Sequence, residues 1–181
     1  GITKSVTMRF DQRVLLNRVA QELSQSVELL EHRVDPNVDT VRGSSPYLIS
    51  GKTLVDIVRA TAVGISGYMT RRRKAAFTDA GIEKIGRTYF ETLVDAFPDF
   101  QALAAGEESV VELRKRSLLG SSTVLRVLAG VFHDIAVDVT DEDHPHVSHV
   151  GLQKVRMLFA DLAPHMGLPI EPEWVATTFF P

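Results

Sequence analysis

Apolar residues recur along this chain mostly at three- and four-residue spacing, the period of a helix with one buried face. Leu15, Val19, Leu23, Val27 and Leu30 form the first such stripe, with Asp11 placed to cap it. Asp35-Pro36-Asn37 stops that helix, because proline disfavours the α conformation in the residue before it. Val38 to Ile49 contains Gly43, Ser44, Ser45 and Pro46, which is turn chemistry. Ser50 then caps a second helix carrying Leu54, Ile57, Val58, Thr61, Ala62, Ile65 and Met69 inward. Gly64 and Gly67 fall inside that pattern, and each weakens a helix by about 1 kcal/mol relative to alanine. A second helix packed closely against them is the expected compensation.

Thr78 or Asp79 caps a third helix with Ile82, Ile85, Tyr89, Phe90, Leu93, Val94 and Phe97 inward, ended by Pro98. Phe100 to Ala105 reads as a short helix or turn, and Val110, Val111 and Leu113 open another short segment. A further helix follows Ser121 or Ser122, built on Val124, Val127, Leu128, Val131, Phe132 and Ile135. The last runs from about Val150 to His165 on Leu152, Val155, Leu158, Phe159 and Leu162. Only Ser5 to Phe10 alternates polar and apolar residues, and it reads as an extended lead-in or a first helical turn. The pattern predicts an all-α, single-domain helical bundle of five to six helices across residues 1–181.

Composition narrows the function more than it names one. Hydrophobic residues make up 44% and charged residues 24%, which excludes a wholly disordered chain. A net charge of −3 excludes an overall basic protein, so any phosphate-binding surface has to be local. The absence of cysteine removes disulfides, thiolate metal sites and a cysteine nucleophile, and it fits a cytoplasmic setting. No apolar run reaches the roughly 18 residues of a membrane span, so no membrane partner is expected. The chain begins at Gly1 without methionine, which fits the C-terminal part of a longer protein.

Two basic clusters, Arg71-Arg72-Arg73-Lys74 and Arg114-Lys115-Arg116, are the candidate DNA-binding residues, since runs of cations contact phosphates. The same residues also complement the negative C-terminal end of a preceding helix. His133, Asp134, His144, His146 and His149 are a candidate metal set, imidazole and carboxylate being suitable ligands, although their spacing matches no helical metal motif. Solvated loop histidines are the plainer account, and no cofactor is expected. Gly51-Lys52-Thr53 lacks the upstream glycine of a phosphate-binding loop, where Pro46 stands instead. No serine occupies a nucleophile-elbow sequence. Trp174, Phe179 and Phe180 form an aromatic tail that either covers the core or meets an upstream domain or a second copy.

One run carries a resemblance. Ile2-Thr3-Lys4-Ser5-Val6 leads into a long helix ending Glu31-His32-Arg33-Val34-Asp35; then Ser45-Pro46-Tyr47-Leu48-Ile49-Ser50 introduces the helix that contains Leu54-Val55-Asp56-Ile57-Val58-Arg59-Ala60-Thr61. This order resembles the part downstream of the signature motif in the DGQHR-domain family, which includes the DndB-type proteins of bacterial DNA phosphorothioate modification. The likeness covers roughly the first seventy residues, with a weaker echo from Val124 to Ile135. The Asp-Gly-Gln-His-Arg motif is absent, so no residue of that signature carries over.

The resemblance implies a non-catalytic, DNA-associated accessory or regulatory domain of a bacterial DNA-modification or plasmid-related protein. A helical metal- or small-molecule-dependent enzyme and a protein–protein interaction module are the competing expectations.

Overall fold

A computed structural model describes residues 14–67, 77–139 and 145–168. The chain forms α1 (Leu15–Ser26), β1 (Val34–Asp35), β2 (Ile49–Ser50), α2 (Gly51–Val63), α3 (Asp79–Ala96), α4 (Pro98–Ala104), α5 (Val110–Arg116), α6 (Ser122–Ala136), β3 (Val137–Asp138), β4 (His146–Val147) and α7 (His149–Leu162). The fold is all-α. The described residues hold seven helices, not five or six, because both short segments after Phe97 are helical. Pro98 opens α4 at a position where its missing N–H is harmless. Ser109 caps α5 by accepting from the Glu112 N–H at 3.2 Å.

Helix boundaries follow local hydrogen bonding where the apolar stripe alone misleads. α1 ends at Ser26 although its stripe continues to Leu30. Ser24 and Ser26 turn their hydroxyls back onto the carbonyls of Gln21 and Glu22, which competes with helix propagation. Turns then carry the chain to Arg33, with His32 in the left-handed region at φ 58°. α2 stops at Val63, short of Met69. Gly64 is its C-cap at φ 82°, a conformation that favours glycine, so this residue ends the helix and does not weaken its middle. Close packing is found at another glycine: a Cβ added at Gly130 of α6 would lie 2.9 Å from the Cβ of Ile65, in the turn just past the end of α2. Asp11, the expected cap of α1, and the Ser5–Phe10 lead-in lie outside the described residues. α1 instead starts after Val14, which makes no side-chain cap.

α2 and α6 pack against each other at the centre. α1 and α3 close one side of this pair, and α7 covers α6. Aromatic side chains fill the interior: Tyr89 meets Phe90 and Phe132 edge-on at 5.0 and 5.5 Å, and Phe97 sits 6.1 Å from Phe100 and 5.6 Å from Phe159. The Tyr89 hydroxyl donates to the Leu125 carbonyl, so its polar tip is satisfied inside the core. Two two-residue pairings complete the fold, β1 parallel to β2 and β3 antiparallel to β4. They are too short to leave a period in the sequence.

Candidate nucleic-acid interface

Of the two basic clusters, Arg71-Arg72-Arg73-Lys74 lies outside the described residues, and Arg114-Lys115-Arg116 forms the last turn of α5. Val110 and Leu113 anchor this helix in the core, and its three cations sit at the negative end of the helix dipole. They have three different fates.

Arg114 turns inward. Its guanidinium donates to the carbonyls of Ser45 at 2.6 Å, Leu48 at 3.0 Å, and Tyr47. Burial lowers its pKa. No carboxylate appears among these three acceptors, so the side chain acts as a multi-pronged donor that fastens the connection between β1 and β2.

Arg116 lies along the surface. It forks onto the Glu108 carboxylate and reaches Asp99 Oδ1 at 2.7 Å. Hydrogen bonding to Glu108 and then to Asp99 raises its pKa.

Lys115 meets Glu112 at 2.7 Å with both side chains well exposed, 65% and 61%. A pair this open exchanges readily, because solvent screens it and side-chain entropy opposes it. Glu108, Glu112 and Asp99 therefore balance the charge of the cluster. A phosphate has to displace a carboxylate to bind there, and Lys115 yields most easily.

The run that carried the resemblance is placed by the same kind of contact. Val34 pairs with Ile49 and Asp35 with Ser50, while the Leu48 N–H donates to the Arg33 carbonyl at 2.7 Å. Arg33 itself donates to the Leu103 carbonyl at 2.6 Å, tying β1 to α4. Ser50 donates to the Asp39 carbonyl and accepts from the Thr53 N–H, so one hydroxyl pins the connection and caps α2. Arg33, Arg114 and Ser50 are thus the side chains that shape this face. Only the capping role of Ser50 is readable from the sequence. Gly51-Lys52-Thr53 simply opens α2 behind that cap.

The candidate metal set is dispersed over several elements. His133 Nδ1 lies 3.1 Å from the Thr61 carbonyl. Together with Asp134 it stands beside the end of α2, where a Cβ on Gly64 would come within 3.1 Å of the His133 ring and 3.6 Å of Asp134 Oδ1. His146 belongs to β4, His149 opens α7, and His144 lies outside the described residues. Among the described residues no group of three or more His, Asp or Glu side chains is placed to hold a metal ion. Trp174, Phe179 and Phe180 also lie outside them. No described helix is long and apolar enough to cross a membrane.

One concavity adjoins this region. Gln21, Ser24 and Gln25 of α1 face Leu30, His32, Val34 and Pro36 across an open cavity of about 210 Å³.

The chain matches the family model described as DndB, DNA-sulfur modification-associated, over residues 1–155. No curated protein and no solved structure matches. The matched span reaches into α7, whose Phe159 lies beyond it and is fully buried, so the folded core extends past the family boundary.

Proposed function

The chain belongs to the DndB family of DNA-sulfur modification-associated proteins, and from that premise we propose that it is an accessory or regulatory domain that contacts DNA without carrying out a reaction itself. The match over residues 1–155 carries this reading, and it ties the chain to DNA modification. The location that goes with it is the bacterial cytoplasm. Phosphate contacts come from Arg71, Arg72, Arg73, Lys74 and Lys115. Lys115 is the cation of α5 whose carboxylate partner is most easily exchanged for a phosphate. Arg114 holds the β1–β2 connection in place, and Arg116 holds α5 to Glu108 and Asp99. These two shape the surface beside the contact residues.

A chain of net negative charge that binds DNA through a few local cations depends strongly on salt, since each phosphate contact releases counterions. Filter retention of a short duplex by the full chain is the test. Binding at low salt that falls steeply as salt rises supports the reading. Lys115→Glu and neutralisation of Arg71 to Lys74 should each flatten the salt dependence, by about one unit of slope for every phosphate-binding cation removed. Absence of duplex retention at low salt overturns it.

A further inference from the structure

The cavity between α1 and the chain from Leu30 to Pro36 carries an inference that the basic clusters do not. Its walls are neutral and polar: the Gln21 and Gln25 carboxamides stand four residues apart, so both lie on the same side of α1. Each carboxamide offers both a donor and an acceptor. The Ser24 hydroxyl between them donates to the Gln21 carbonyl at 2.7 Å, so toward a ligand it acts as an acceptor. Leu30, fully buried, with Val34 and Pro36 supplies the apolar lining. Among the described residues, no lysine, arginine, aspartate or glutamate lines the space. Such a lining suits a neutral, flat molecule with a hydrogen-bonding edge, and it gives nothing to balance a phosphate or carboxylate.

A second observation points to the same place. His32, at the rim, is the one non-glycine residue with positive φ among the described residues, at 58°. Its side chain is 92% exposed, and its charged-group neighbour is Glu31, 3.7 Å away. The turn closes through the Arg33 N–H to the Leu30 carbonyl, a backbone bond that glycine at position 32 would serve without strain. An exposed imidazole is thus held in a strained backbone conformation beside a neutral polar cavity, where its flat ring can stack on a planar ligand.

We propose that this cavity accepts a single unstacked nucleobase, with the Gln21 and Gln25 carboxamides reading its hydrogen-bonding edge and His32 stacking at the mouth. The choice of a base among neutral heterocycles rests on the DNA-contacting reading above. The cavity admits a base from a single strand or one turned out of a duplex, since a base inside the stack cannot present its edge and its face together.

The test separates the two readings by using nucleosides, which have no phosphate. Adenosine, guanosine, cytidine and thymidine are titrated in turn into the full chain, followed by amide and carboxamide NMR shifts. Saturable shifts at the Gln21 and Gln25 side chains and at the His32 amide, with one base preferred, are expected. Raising salt from about 50 to about 300 mM should leave that affinity unchanged, because no counterion is released. Gln25→Ala should weaken binding by roughly tenfold, as removal of one bidentate base pairing does, and His32→Gly by roughly tenfold, as loss of one stacking ring does. His32→Gly should also leave Tm unchanged or raise it, because the strained backbone is relieved.

No saturable shift at these groups for any nucleoside overturns the proposal, as does wild-type affinity in both variants. Duplex retention without nucleoside binding refutes the cavity and leaves the phosphate contacts standing. Nucleoside binding without duplex retention supports the cavity and refutes the phosphate contacts.

Discussion

The connection between β1 and β2 and the joint between α3 and α4 solve one problem in opposite ways. The joint is a single residue. Phe97 ends α3 by donating its N–H to the Leu93 carbonyl, and its own carbonyl starts α4 by accepting from Phe100 and Gln101. Its ring is buried beside Phe100 and Phe159. All its backbone polarity is met by neighbours in sequence, so an apolar side chain can seal the site. Residues 36–48 have no such ladder, and several of their carbonyls are met by side chains from outside the segment. Arg114 serves Ser45, Tyr47 and Leu48, and Ser50 serves Asp39. Where the backbone is regular, greasy packing suffices. Where it is irregular and partly covered, the fold needs an imported donor, and a guanidinium can serve several carbonyls at once.

Breaking each device should expose that difference. Phe97→Ala leaves a cavity between three helices and should cost about 3–5 kcal/mol of global stability, read as a shifted denaturant midpoint. Arg114→Ala leaves several carbonyls without their donor and should cost about 2–3 kcal/mol. Its signature should be local, with faster hydrogen exchange at the Leu48 and Ile49 amides that bond the Arg33 carbonyl. Arg114→Lys should recover only part of this, since an ammonium carries its donors on one nitrogen and lacks the planar fork that reaches separate carbonyls. Equal global loss in both alanine variants, with no local change at Leu48, would show that the connection is simply part of the core.

The core can be probed through pH as well. Burial raises the Tyr89 hydroxyl pKa well above its ordinary value near 10. Above that value the unfolded chain gives up its phenolic proton while the folded chain keeps it. Unfolding is then favoured, and stability falls as pH rises from about 10 toward the folded-state pKa. Tyr89→Phe should cost about 1 kcal/mol at neutral pH, through the missing bond to the Leu125 carbonyl, and should flatten that alkaline decline. An undiminished decline in the variant would assign it to other groups.

The stripes on α2, α3 and α6 are legible because burial on one helical face repeats in sequence. Their ends are less so. Gly64 reads as an interior weakness until its φ of 82° shows it to be the stop, and Ser24 and Ser26 end α1 while its apolar stripe runs on. The paired two-residue strands leave no period to read. The candidate site is legible only as composition. Arg114, Lys115 and Arg116 are consecutive and look equivalent, yet Arg114 bonds carbonyls 66 to 69 residues away while Lys115 bonds a carboxylate three residues away. Nothing in a local window distinguishes a cation that clamps a distant loop from one that faces solvent. The cavity beside His32 is hidden for the same reason, since it joins α1 to residues that follow two turns later.

That contrast within α5 yields the smallest expected change in stability and the sharpest division of roles. Lys115→Ala removes an exposed pair with Glu112 and should alter stability by less than about 0.5 kcal/mol. Arg114→Ala, one residue earlier, should unfasten residues 45–48. Measured on duplex retention, the ranking should not follow stability. Lys115→Ala should weaken retention and lower its salt slope while Tm stays fixed, whereas Glu112→Gln, which frees Lys115 from its carboxylate, should strengthen retention at equal Tm. If instead retention tracks Tm across Arg114→Ala, Lys115→Ala and Glu112→Gln, this helix contributes only a folded scaffold, and the phosphate contacts belong to Arg71 through Lys74.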